Sequence, residues 1–275
     1  MRLLIFGLGY TAARIAAALP QARIAATGRA GNLRFDDADR VRFEIEQATH
    51  ILSSVPPAGE DDPVLAAYGP QLAETGAWIG YLSSSGVYGD TGGAWVDESA
   101  PTGTGRRGAR TQADSDWLAL RARVFRLPGI YGPGRSPLDR IRAGEARRID
   151  VPEQVFSRVH VDDIVSGVIA ALDAPPGAYN LADDMPAPQS DVIAFGAQLL
   201  GLPAPPLVPL AEADLSPAAR AFYAENRRVA NGKAKRLLGW RPLYPDYRLG
   251  LRALNASTSP APASKAPAPA SSDQR

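Results

Sequence analysis

Residues 2–19 read RLLIFGLGYTAARIAAAL, and this stretch decides the fold. Leu3 to Phe6 is a short apolar run of the kind that forms a buried parallel strand. Thr11 to Leu19 is Ala-rich and predicts a helix that stops at Pro20. Between them GLGYTA, at 7–12, has the spacing G-x-G-x-x-A. In such a turn Gly7 permits the tight bend, Gly9 lets a pyrophosphate approach the backbone, and Ala12 is small enough for close helix–strand packing. The helix that opens at Tyr10 and Thr11 would offer free N–H groups and a positive dipole end to phosphates. A dinucleotide site is therefore expected at the first βα turn.

Outward from the turn the pattern repeats. Strands are expected at Arg23–Thr27, Val41–Ile45, His50–Val55, Trp78–Ser83 and Arg123–Leu127, with helices at Pro63–Thr75 and Ala109–Arg121. Asp162 is expected to cap a helix over 163–173, and Ala178–Leu181 to supply a last strand. The alternation implies an α/β fold: a doubly wound parallel-sheet Rossmann domain with a small C-terminal substrate lobe. The expected division gives 1–127 plus 161–183 to the dinucleotide domain and 128–160 plus 184–254 to the lobe. The Ser/Ala/Pro-rich stretch 255–275 is expected to be a disordered tail.

Cofactor choice is read at the end of the second strand. An acidic residue there would bind a ribose 2′-hydroxyl, whereas an arginine accommodates a 2′-phosphate. The sequence offers ATGRA at 26–30 and no acidic residue before Asp36. Arg29 is the candidate ligand, and NADP(H) is preferred over NAD(H), which the same turn would also hold. Ser53, Ser54, Val55 and Pro56 end the fourth expected strand, His50–Val55, at the sheet edge where such ligands lie.

Composition removes other classes. Thirty basic and 29 acidic residues give a net charge of +1, so charge supplies no argument for nucleic acid or a membrane surface. The absence of cysteine excludes thiolate metal sites, disulfides and cysteine nucleophiles, and two histidines leave little for a metal; none is expected. The N-terminal segment reads as a strand turning into a helix, not as a signal peptide, because Gly7, Gly9 and Thr11 break its apolar run. No apolar run is long enough to span a bilayer, and the cytoplasm is the expected location.

From residue 81 onward further motifs follow in order: YLSSSGVYG (81–89), RLPGIYGPGR (126–135), RVHVDDIVSGVIAAL (158–172), AYNLADDMPAP (178–188) and KRLLGWRP (235–242). With GLGYTA they resemble the extended short-chain dehydrogenase/reductase superfamily, closest to its atypical NAD-dependent epimerase/dehydratase-like members. The resemblance implies a small-molecule substrate and a homodimer as one arrangement. It also implies a Ser or Thr that orients substrate and a Tyr-x-x-x-Lys pair, the Tyr moving a proton and the Lys lowering its pKa.

Ser84 falls on the serine position. The Tyr and Lys positions fall near Arg106 and Arg110, and no Y-x-x-x-K exists anywhere in the chain; the first lysine is Lys233. Arginine keeps its proton and cannot relay it. Tyr88 and Tyr131 are the alternative acids, though packing of the cleft floor with satisfied hydroxyls is the favoured reading of both. Arg110, Arg135 and Arg158 are the expected substrate contacts, with Arg227 and Arg228 as further anion contacts. Nucleotide-sugar epimerases of this family use an arginine four residues before the HVDD histidine, where this chain has Phe156. The expected function is an NADP(H)-binding oxidoreductase acting on a small carbonyl or alcohol. The alternatives are a non-catalytic NADP(H) sensor or scaffold, and a sugar epimerase or dehydratase.

Overall fold

The structure is a computed structural model and describes residues 1–103, 105 and 108–258. In chain order the elements begin with β1 (Arg2–Phe6), α1 (Tyr10–Ala17), β2 (Arg23–Ala26), α2 (Ala38–Gln47), β3 (His50–Ser53), α3 (Pro63–Glu74) and β4 (Trp78–Ser84). A short 3-10 turn (Ser85–Tyr88) leads to β5 (Trp95–Val96), α4 (Gly108–Ala119), β6 (Arg123–Leu127), β7 (Gly129–Tyr131) and α5 (Pro137–Arg142). Then come β8 (Arg148–Asp150), β9 (Arg158–His160), α6 (Val161–Ala170), β10 (Gly177–Asn180) and α7 (Gln189–Leu199). The last are β11 (Leu207–Pro209), α8 (Pro217–Phe222), β12 (Arg228–Val229), α9 (Gly232–Leu237) and α10 (Tyr247–Thr258).

Six parallel strands form one sheet in the order β10-β6-β4-β3-β1-β2. β1 pairs with β2 on one side and β3 on the other, so the strand order reverses at β1 and opens a crevice at the strands' C-terminal ends. One core cluster packs α1 and α6 on one face, and a second packs α2, α3 and α4 on the other. The expected Rossmann architecture is present. Registers then bring the functional stretches together: Phe6 lies beside Ser53, and Ser84 beside Leu127.

Two local expectations are corrected. Val41–Ile45 is not a strand but the middle of α2. VRFEI alternates like a strand, but Val41 and Ile45 are also four residues apart and share one buried helical face. Phe43, which a half-buried strand would have hidden with them, is 52% exposed, and the Asp37 side chain caps the helix by accepting from Arg40 N–H. In α6 the cap is His160 rather than Asp162: its Nδ1 accepts the Asp162 backbone N–H at 3.2 Å.

The C-terminal lobe gathers α5, α7 and α10 around Leu138, Val192 and Leu251. α10 runs to Thr258, four residues into the stretch expected to be a tail; 259–275 lie outside the described residues. The GWRP motif docks the lobe onto the Rossmann domain. Trp240 Nε1 donates to the Asp163 carbonyl at 3.1 Å, and the Asp163 carboxylate receives Leu243 and Tyr244 N–H.

Candidate functional site

At the glycine turn Gly7 has φ +83°, the left-handed region that favours glycine, and a Cβ there would meet Val55 Cγ2 at 2.9 Å. Gly9 has an ordinary φ of −93°, and a Cβ there would meet nothing within 4 Å. Gly7 is thus required by the protein's own backbone and packing. Gly9 faces open space. The turn is held from both sides: Gly7 N–H donates to Thr27 Oγ1 at 3.0 Å, Leu8 N–H to the Thr27 carbonyl at 2.8 Å, and Ser54 Oγ to the Gly7 carbonyl. α1 begins with no side-chain cap, so its first-turn N–H groups are open to a ligand.

These features fit a dinucleotide. The cradle is preformed, it is empty where the middle glycine lies, and its donors point to where a pyrophosphate would be neutralised. Ala12 is buried in the core, as close packing requires. Arg29 is exposed just after Gly28, with no carboxylate partner among the described residues. Arg34, by contrast, is engaged with Asp36 at 2.7 Å. Ser53 is buried with an unpartnered Oγ, whereas Ser54 and Pro56 reach the cleft above the sheet. Tyr10 turns its hydroxyl across that cleft and donates to the Pro133 carbonyl at 3.0 Å, tying the turn to the loop after β7.

The cleft has a volume of about 580 Å³. Gly9, Tyr10 and Thr11 form one end of it, and Ser83, Ser84, Ser85 and Arg110 form the middle. Phe156, Phe222 and Arg227 stand at the other end. Ser84 is half-buried at the end of β4, where its Oγ accepts Gly86 N–H at 3.1 Å and keeps its own proton to give. Arg110 is half-buried on α4; its charge opposes the burial that otherwise raises the Tyr81 hydroxyl pKa. Glu225 is the one carboxylate among the described lining residues, and it is ion-paired with Arg227 at 2.9 Å.

The two alternative tyrosines are not brought to this cleft. Tyr88 is buried below it, donating to Asn180 Oδ1 at 2.8 Å and accepting from Arg126 at 3.1 Å. Burial, opposed by the Arg126 charge, pushes its pKa up to about 12. Tyr131 lies beside the lobe with its hydroxyl against Gly250, and burial raises its pKa as well. Neither residue lines this cleft, although Tyr131 lines the neighbouring cavity. Arg106, at the expected tyrosine position, lies outside the described residues.

Arg158 is almost wholly enclosed. Its guanidinium donates to the Phe156 and Ala187 carbonyls and to Gln189 Oε1 at 2.7, 2.9 and 2.9 Å, which fastens the lobe. Arg135 lines the cleft with no carboxylate partner among the described residues; its guanidinium stands 5.1 Å from the Tyr10 ring centroid. Arg227 donates to the Gly89 carbonyl at 2.7 Å. Arg228 donates to the Gly93 carbonyl.

Sequence reasoning named Ser54 but missed the supports Thr27 and Gly28, which brace the turn with it; Gly28 has φ +105°, and a Cβ there would sit 3.1 Å from Leu8 N. The TG pair inside ATGRA was the available signal. Beneath Ser84, Ser83 Oγ donates to Asp114 at 2.6 Å, and Asp114 holds Arg126 at 2.7 Å, both buried. Nothing local to the sequence couples residues 83, 114 and 126. Among the described residues no group of three His, Asp or Glu could hold a metal, and no helix is long and apolar enough to cross a membrane.

No family model matches the chain. A conserved protein of unknown function from Silicibacter pomeroyi is 46% identical, with a TM-score of 0.84 over 93% of this chain and 98% of that one. Human epimerase family protein SDR39U1, solved with NADPH, superposes with a TM-score of 0.75 at 18% identity over 93% of this chain and 99% of that one. Further neighbours of this fold were solved with NAD. A 3-diazoavenalumate denitrifying reductase from a Streptomyces species is 32% identical over 154 residues, 52% of this chain. The match spans about half the length of that relative, 49%.

Proposed function

We propose that this chain is an NADP(H)-dependent reductase of a small unsaturated substrate; it belongs to one family with the Silicibacter pomeroyi protein and has the fold of the epimerase/dehydratase-like extended short-chain dehydrogenases/reductases. One observation carries the reading. The open cradle at Gly9–Thr11 and the half-buried Ser84 line the same cleft. A ligand seated on the first therefore reaches the second.

In this reading Gly7, Gly9 and the first turn of α1 hold the pyrophosphate, Arg29 takes the 2′-phosphate, and Ser54 and Pro56 flank the path. When bound, the nicotinamide supplies the hydride. Ser84 donates its hydroxyl hydrogen to the substrate and orients it, while the Arg110 charge stabilises negative charge developing beside it. Ser83, held by Asp114 and Arg126, keeps the end of β4 rigid beneath it. The one carboxylate among the described lining residues, Glu225, is ion-paired with Arg227. Proton delivery then falls to water, or the acceptor needs none. An arenediazonium ion is an acceptor of the second kind, since hydride addition with loss of dinitrogen consumes no proton. The Streptomyces relative's name supports testing that class beside carbonyls.

The test is NADPH oxidation against aldehydes, ketones and arenediazonium salts. Substrate-dependent oxidation lost in Ser84→Ala supports the reading. Tight NADPH binding with no oxidation across the panel favours the second reading, a non-catalytic NADP(H) sensor, which the missing Tyr-x-x-x-Lys supports. A sugar epimerase or dehydratase is disfavoured by Phe156 at the cleft wall and by the missing Tyr-x-x-x-Lys.

A further inference from the structure

We propose that a second chamber beside the cleft receives an aryl carboxylate, its ring against Phe156 and Phe222 and its carboxylate on Arg135. The assignment of a substrate class rests on the reductase reading above. The chamber has a volume of about 800 Å³, within the usual range for small-molecule sites. It lies between β7, α5, α7 and α8. Gly129, Ile130, Arg135, Phe156, Ser157 and Phe222 line both spaces, so the two adjoin at this wall. In this proposal the occupant reaches past that shared wall toward Ser84, which lines the first space.

The walls specify the occupant. Phe156 and Phe222 stack at 4.9 Å with an interplanar angle of 16°, and Tyr223 stands edge-on to Phe156 at 5.5 Å. Phe222 is 48% exposed, an aromatic surface with a face still open to a ring.

The charge of the lining is lopsided. Four arginines, Arg135, Arg140, Arg147 and Arg158, face one carboxylate, Asp139, which is itself paired with Arg142 at 3.3 Å. Arg147 is occupied by Asp214, Arg158 by neutral oxygens of the chain, and Arg140 donates to the Glu145 carbonyl. Arg135 stands at the junction of the two spaces without a carboxylate partner among the described residues. Apolar, aromatic walls with an uncompensated cation at the mouth suit an aromatic ring carrying an anion.

Calorimetric titrations decide it, using cinnamate, cinnamamide, hexanoate and UDP-glucose as probes, each against the protein alone and against the NADPH-saturated protein. Cinnamate is expected to bind roughly tenfold or more tighter than its neutral amide, the scale of one charge-assisted contact. Arg135→Gln should erase that difference, and Phe222→Ala, on a partly exposed side chain, should erase the preference over hexanoate. Equal binding of acid and amide would overturn the proposal, as would preferential binding of UDP-glucose. So would an Arg135→Gln variant that weakens NADPH but leaves cinnamate unchanged, since Arg135 would then serve the dinucleotide. Absence of NADPH binding would defeat the reductase reading on its own, and the titrations of the protein alone would still decide the chamber.

Discussion

The glycine turn and the β4–α4 segment belong to one cleft, yet they depart from the superfamily pattern to very different degrees. At the turn every feature the chemistry asks for is present: left-handed Gly7, open space over Gly9, an uncapped helix start and braces from Thr27 and Ser54. On β4 and α4 only Ser84 remains of the expected three, with Arg110 where a lysine would stand. The difference teaches that binding and chemistry are separable demands. A cradle for phosphates is made of backbone and tolerates little change, whereas a proton donor is one side chain that another substrate can make unnecessary.

The largest expected effect would break the comparison on its binding side. Gly9→Val should weaken NADPH by more than about a hundredfold, because the side chain enters the space a pyrophosphate needs. Its melting temperature should be unchanged, since that space is empty in the protein; equal binding in calorimetry would remove the turn from the site. Next, on the chemical side, Ser84→Ala should lower kcat by about a hundredfold with NADPH affinity intact, the scale of a positioned donor at a developing charge. Unchanged kcat in stopped-flow NADPH oxidation would leave the chemistry without a protein group. Arg29→Ala should then cost NADPH roughly tenfold and NADH almost nothing. Equal losses by fluorescence titration would show that Arg29 does not read the 2′-phosphate.

Smaller effects sharpen the contrast away from the turn. Asp183 is buried with an unpartnered Oδ2, and burial, partly opposed by the Arg158 charge, pushes its pKa up to about 8. Its folded pKa lies above its unfolded one, so its contribution to stability is complete below about pH 4 and is lost as pH rises to about 8. Urea denaturation should show the wild type losing roughly 1 kcal/mol between pH 6 and pH 7 from this group, and Asp183→Asn should not show that loss. The smallest effect is expected from Tyr131→Phe, which removes a buried hydroxyl with no hydrogen-bond partner: stability and kcat should stay level. A large fall in kcat would return Tyr131 to the list of acids.

How much could be read beforehand follows from where each determinant resides. The turn was legible because its requirement is local: three small residues at fixed spacing between a strand and a helix. The β4–α4 loss was legible for the same reason, as a missing spacing. Residues 41–45 misled because V-R-F-E-I satisfies a period of two and a four-residue helical repeat at once; the Asp37 cap and exposed Phe43 settle it in three dimensions. The fates of Tyr88 and Tyr131 were illegible, because each depends on partners far along the chain: Asn180 for one and Gly250 for the other. The same holds for Asp114 under Ser83, and for the aromatic wall that joins Phe156 to Phe222.

The central claim is that the first βα turn holds NADP(H) and that Arg29 sets the preference for it. Isothermal titration of the purified protein with NADPH and with NADH, in separate runs, tests that most directly. Tight NADPH binding with NADH weaker by roughly tenfold or more is the predicted result. Absence of heat with either cofactor would contradict the account, and equal affinity for both would contradict the part assigned to Arg29.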